Sequence, residues 1–222
     1  MKKSRTPVLD EIQCKKVLKS AGIRVTVPVL AASKKEAIVA AGKMGYPVAM
    51  KIVSPQITHK SDIGGVKLKL QNKGQVGTAY DEIMAAVKKK AAKAHIDGVS
   101  IQKMAAPGLE LVIGMTRDPQ FGPMLMFGLG GTSVEILKDV AFRITPLTRQ
   151  DARDMIRQIK GYRLLEGYRG QPPADIEYLE EMLMKLSAFV VENPEIKEMD
   201  INPLFAYRKG AVAVDARIIL DE

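Results

Sequence analysis

The sequence predicts an α+β protein built in two lobes. Three features carry that expectation. Over the first half, helical and strand-like periods run helix, strand, helix, strand, strand, helix, which is layering rather than a regular βαβ array. Near the middle, Ala105-Ala106-Pro107-Gly108 breaks the periodicity with a hinge signal, and the chain divides there into 1–104 and 105–222. At the end, two strand-like runs, 199–207 and 211–220, flank Arg208-Lys209-Gly210 as a hairpin. At 222 residues the chain is long enough for two cores.

Each element has a local reason. Asp10 and Gln13 form a capping box for a helix over 11–21 that Gly22 ends, and Cys14, Val17, Leu18 and Ala21 share its apolar face. A short strand is predicted over about 24–31. Ser33 and Glu36 cap a second helix, lined by Ala37, Ala40, Ala41 and Met44 and stopped at Gly45. Val48 to Val53 is an apolar strand, and Val66 to Leu70 alternates with period two. A helix from about 75 to 92 buries Val76, Tyr80, Ile83, Met84 and Val87. Strands follow over 97–104, 110–117 and from 124 into the glycine turn 128–131. Thr148 caps a helix burying Ala152, Met155, Ile156 and Ile159, and a longer helix over 174–191 carries Leu179, Leu183, Leu186 and Val190 on one face.

Composition removes several function classes. The hydrophobic share of 46% and charged share of 27% are those of a globular protein. No run approaches the ~18 apolar residues of a membrane span, and the basic N-terminus lacks the apolar stretch of a signal peptide, so a cytoplasmic protein without a membrane partner is expected. A net charge of +9 invites nucleic acid as a partner. Its lysines fall on helix surfaces such as 88–90, and with no Trp and 5% aromatics there is no stacking stripe among them, so nucleic acid is not expected. The single cysteine, Cys14, reads as core.

The chemical interest centres on residues 46–66. Lys51 interrupts the apolar strand, and a lysine in a buried strand calls for an anion or an acid at its ammonium group. The loop after it offers hydroxyls, His59 and the amides of Ile63, Gly64 and Gly65, where two glycines allow close backbone approach and an anion-binding concavity. Nucleotide phosphate fits that description. His59 can be a phosphoryl acceptor or a structural hydrogen-bonder. In the hairpin, alternation puts Asp200 and Asn202 on one face, with Asp215 on the returning strand. Those oxygen donors suit Mg²⁺, although the hairpin taken alone reads more readily as the solvent face of an ordinary antiparallel sheet. The glycine spacings match neither the Rossmann fingerprint nor the P-loop.

Four segments together carry a resemblance: Tyr-Pro-Val-Ala-Met-Lys-Ile-Val-Ser-Pro at 46–55, His-Lys-Ser-Asp-Ile-Gly-Gly-Val at 59–66, Phe-Gly-Leu-Gly-Gly at 127–131 and Asp-Ile-Asn-Pro-Leu at 200–204. In this order they closely resemble the ATP-grasp β subunit of ADP-forming acyl-CoA synthetases, of which acetate–CoA ligase (ADP-forming) is the best-known member and succinyl-CoA synthetase a relative. The resemblance implies the ATP-grasp fold, two lobes whose antiparallel or mixed sheets sandwich ADP or ATP, and the reaction acyl-CoA + ADP + phosphate ⇌ acid + CoA + ATP. It implies that Lys51, Gly64 and Gly65 hold phosphates, that Gln102, Lys103 and Met104 form a hinge facing adenine, and that Glu110 lies near ribose or phosphates. Asn202 and Asp215, with Asp200 as a third or supporting group, would ligate Mg²⁺. His59 would be a phosphohistidine relay served by an α subunit that carries the CoA-binding and phosphohistidine domains, in an α2β2 hetero-oligomer. Two positions depart from the pattern: Lys103 stands where relatives often have glutamate, and Thr132-Ser133 replaces bulkier residues ahead of Glu135. Two other readings stay open, a carboxylate–amine ligase of ATP-grasp type and a nucleotide-binding regulatory subunit without transfer activity.

Overall fold

The computed structural model of the chain describes residues 8–57, 60–131 and 138–221, and its backbone divides into two compact units. The smaller holds Asp10–Gln13 and Thr26–Ala105; the larger holds residues 8 and 9, Cys14–Val25 and the chain from Ala106 onward. Helix α1 (Glu11–Ser20) thus contributes its first turn to the smaller unit and the rest to the larger.

The smaller unit contains β1 (Val29–Ala31), α2 (Lys34–Met44), β2 (Val48–Val53), β3 (Val66–Leu70), α3 (Lys73–Lys90) and β4 (Gly98–Lys103). The strands form one antiparallel sheet in the order β1-β4-β2-β3. Ser33 caps α2 by accepting from the Glu36 amide, while the Glu36 carboxylate accepts from Ala32 at 2.8 Å. Helix α3 begins earlier than its apolar pattern suggests because Asn72 caps it, accepting from the Gln75 amide at 3.0 Å. The strand expected over 24–31 is shorter than predicted, only Val29–Ala31 pairing with β4. Central strand β2 is buried along its whole length. Val48, Met50 and Ile52 enter the core with Ala37, Ala41, Val76, Ile83 and Ile101, so strand alternation turns Lys51 to the opposite face.

The larger unit contains β5 (Leu109–Asp118), β6 (Gly122–Leu129), β7 (Val140–Ile144), α4 (Arg149–Gln158), α5 (Tyr162–Leu165), α6 (Ile176–Glu192), β8 (Ile196–Ala206), β9 (Ala211–Ala213) and β10 (Ala216–Leu220). Its sheet runs β10-β8-β5-β6-β7, with β9 also paired to β8. One face, bearing Leu111, Ile113, Leu125, Phe127, Ile201 and Ile218, shares a core with Met155, Ile156, Leu183 and Leu186 of the helices. Thr148 and Asp151 close a capping box on α4. The Arg117 guanidinium donates to the carbonyls of Val190, Asn193 and Ile196, satisfying the C-terminal end of α6 and the entry to β8. Strand β7 has no counterpart in the sequence reading. Cys14, Leu18 and Ile23 are buried in this core, so α1 does not follow the 1–104 division: an apolar stripe fixes which helix face is covered, not which core covers it.

Candidate functional site

In the smaller unit, Lys51 sits mid-strand with Ser100 of β4 and Val66 of β3 as its register partners. Ser100 and Gln102 share its face of the sheet by alternation, and all three are buried. The Lys51 ammonium donates to Glu11 Oε1 at 2.8 Å, and the side chains are 6% and 1% exposed. The acid that a buried lysine requires is therefore supplied by the first turn of α1, a partner that sequence reasoning missed. The other oxygen of the same carboxylate accepts from Lys60 at 3.4 Å. His59 and Thr58 lie outside the described residues.

The glycine loop corrects one expectation. The Gly64 amide donates to the Ser61 carbonyl at 2.9 Å and the Gly65 amide to Lys60 at 2.7 Å, so both are engaged inside the turn instead of lining an anion concavity. The glycines serve close packing. A Cβ on Gly65 would stand 2.6 Å from Ile52 Cγ2 and 2.9 Å from the Lys60 carbonyl oxygen. Gly64 takes φ +77°, a left-handed conformation that favours glycine.

At the end of β4 the Thr26 hydroxyl reaches the Gln102 side-chain oxygen at 3.3 Å. Lys103 donates to the Tyr46 carbonyl at 2.5 Å, and the Met104 amide donates to Pro47 at 3.1 Å. These bonds tie the segment 102–104 to the turn preceding β2. The boundary between the units follows directly, after Ala105.

In the larger unit the sheet face opposite the helices carries the polar groups. Asp200 lies between Gly114 of β5 and Arg217 of β10 in register, with Asn202 two residues on. The Asn202 amide donates to the Asp215 carbonyl at 3.2 Å, which brings those residues together across the hairpin as the sequence suggests. Asp215 Oδ1 accepts from Ala216 at 2.9 Å. Although Asp200 reaches solvent, the surrounding strands raise its pKa by desolvation; Arg217 opposes that shift and Asp215 adds to it by repulsion. Two neighbouring carboxylates that repel one another are a donor set a hard cation relieves, and Asn202 stands on the same strand face, so these residues fit Mg²⁺. Among the described residues, no three of His, Cys, Asp and Glu gather into a metal-binding group by themselves.

Glu110 opens β5, exposed, and its carboxylate lies against the second glycine turn: a Cβ on Gly131 would be 2.7 Å from Glu110 Oε2. The Gly130 amide donates to the Glu110 carbonyl at 2.8 Å. Two motifs that are separate in sequence thus meet here. Glu135 and Thr132-Ser133 lie outside the described residues. Along the same sheet face, Gly114, Met124, Met126 and Phe142 line a hollow of 230 Å³ with Asp200 and Arg217 at its polar side.

Comparison with known proteins agrees over nearly the whole length. The sequence matches the family model described as an ATP-grasp domain across residues 1–220. It is 50% identical over 218 residues to acetate–CoA ligase (ADP-forming) I subunit beta of Pyrococcus furiosus, covering 98% of this chain and 94% of that one. Among solved structures, dinucleotide-forming acetyl-coenzyme A synthetase 1 of Ca. Korarchaeum cryptofilum, complexed with coenzyme A, Ca-AMPCP and HgCl+, superposes with a TM-score of 0.94 at 50% identity, covering 97% and 94% of the two chains. The same enzyme with coenzyme A and Mg-AMPPCP, its phosphohistidine segment pointing towards the nucleotide-binding site, gives 0.85 at 47% identity, covering 97% and 93%.

Proposed function

We infer the function from one premise: the chain belongs to the ATP-grasp family, among the β subunits of ADP-forming acetate–CoA ligases. It is an acid–CoA ligase subunit of the ADP-forming type, working in the reaction acyl-CoA + ADP + phosphate ⇌ acid + CoA + ATP. The observation that carries this is the 50% identity to a named β subunit along almost the full length of both chains.

Within that activity we assign roles by residue. Lys51 neutralises nucleotide phosphate, with the turn at Gly64 and Gly65 shaping the loop beside it. Gln102, Lys103 and Met104 lie along the adenine, and Glu110 stands near ribose or phosphates. Asn202 and Asp215, supported by Asp200, hold Mg²⁺, which when bound supplies charge neutralisation to the phosphates. What supports the metal is the mutual repulsion of Asp200 and Asp215, together with the Mg-AMPPCP in a relative 47% identical to this chain. His59 is the phosphoryl acceptor, and the partner is an α subunit bearing the CoA-binding and phosphohistidine domains; the phosphohistidine segment named in the solved relative supports both.

The test is to incubate the chain with Mg²⁺ and γ-labelled ATP, alone and with an α subunit, and to map acid-labile, base-stable label. Label on His59, lost in His59→Ala together with ATP formation from acetyl-CoA, ADP and phosphate, is the expected result. Nucleotide binding with no phosphoenzyme in the reconstituted complex would reassign the chain as a nucleotide-binding regulatory subunit.

A further inference from the structure

Glu11 and Lys60 have no part in the roles assigned above, yet they meet Lys51 at one carboxylate. Glu11 Oε1 accepts from Lys51 at 2.8 Å and Oε2 from Lys60 at 3.4 Å. The Glu11 side chain is 1% exposed, Lys51 is 6% exposed and Lys60 is 21% exposed. The carboxylate thus bridges two ammonium groups, and Lys60, the more accessible of them, marks the side from which an anion can approach. We propose that Glu11 is a positioning residue that holds Lys51 and Lys60 together and in place as a two-lysine receptor for nucleotide phosphate, a proposal resting on the nucleotide-binding role of Lys51.

Two physical effects give Glu11 that role. A free lysine side chain carries about 2 kcal/mol of rotamer entropy, and fixing it before the ligand arrives removes that cost from binding. Burial alone pushes a lysine toward its neutral form, and an adjacent carboxylate holds it charged. The first turn of α1 presents Glu11 to Lys51, and the loop presents Lys60 to the same carboxylate. The adjoining strands offer uncharged Ser100 and Val66 as its register partners.

The experiment measures Mg-ADP binding to the full chain by calorimetry, from about pH 7 to about pH 9, for wild type, Glu11→Gln, Lys51→Gln and the double variant. Glu11→Gln is expected to weaken binding about tenfold, and the loss should deepen as pH rises because burial favours the neutral form of Lys51 once the carboxylate is gone. On the Lys51→Gln background the same change should alter affinity by less than about twofold, since its effect runs through Lys51. Tighter binding in Glu11→Gln would show that the carboxylate competes with phosphate and would overturn the proposal. An equal, pH-independent loss on both backgrounds would reduce Glu11 to a structural residue and overturn it as well. Wild-type binding by Lys51→Gln would instead remove the nucleotide role of Lys51 itself, and this proposal with it. If Glu11→Gln does not fold, Lys60→Gln decides: binding about threefold weaker at an unchanged melting temperature supports the receptor, and unchanged binding overturns it.

Discussion

The two units place charge in opposite ways. In the smaller one, Lys51 and Glu11 are almost fully buried and paired at 2.8 Å, with Lys60 completing the cluster. In the larger one, Asp200 and Asn202 stand on an exposed strand face, and Asp215 raises the pKa of Asp200 by repulsion. The first arrangement sets opposite charges against one another inside the fold. The second sets two carboxylates close enough to repel one another on a solvent-facing strand, with Arg217 opposing the effect at Asp200. A buried ion pair is costly to disturb, whereas a charge that reaches solvent is cheap to remove.

The sharpest way to break this contrast is Lys51→Met. It removes the ammonium group at 2.8 Å from the buried Glu11 carboxylate, and losing one member of a buried pair costs about 3–5 kcal/mol. Chemical denaturation of the nucleotide-free chain should show a loss of that size. A loss below about 1 kcal/mol would place the pair among ordinary surface bridges and end the comparison. Next in size is Gly65→Ala. Its Cβ would meet Ile52 and the Lys60 backbone, so overpacking should cost about 1–3 kcal/mol and shift the loop that carries Lys60. Asp215→Ala sharpens the other side: stability should change by no more than about 0.5 kcal/mol, as at other partly exposed positions, while Mg²⁺-dependent nucleotide binding falls at least about tenfold.

The legible parts of this structure are the ones set by local chemistry. The capping residues Asp10, Ser33, Thr148 and the glycine at 22 announced their helices, because a cap satisfies backbone groups within three or four positions. Period two put Asp200 and Asn202 on one face, and the structure keeps them there. The demand of Lys51 for a partner was legible too. The identity of that partner was not, because Glu11 is 40 positions away and an acid in the first turn of a helix is already explained by the helix dipole. The same limit hid the grouping of α1 with the larger unit. The glycine pair at 64 and 65 misled for another reason: sequence shows that the backbone can approach something closely, and here that something is Ile52 and the Lys60 carbonyl.

The smallest predicted effect concerns Asp200 alone, in metal-free buffer. Desolvation raises its pKa in the folded chain, so ionising it opposes folding. The sign follows from linkage. A carboxyl whose folded pKa lies above its unfolded value favours folding fully below the unfolded value, about 3.9, and that contribution is lost as pH rises through the higher folded pKa. Asp200→Asn, which cannot ionise, should therefore raise the denaturation midpoint slightly at neutral pH, with the advantage vanishing as pH falls below about 4. Adding Mg²⁺ should reverse the order, because the cation stabilises the ionised wild-type site and finds less charge in the variant. A variant less stable than wild type in metal-free neutral buffer would mean that Arg217 outweighs burial and Asp215 together. The exposed face would then be compensated in the same manner as the Lys51 cluster, and the contrast between the two units would fail.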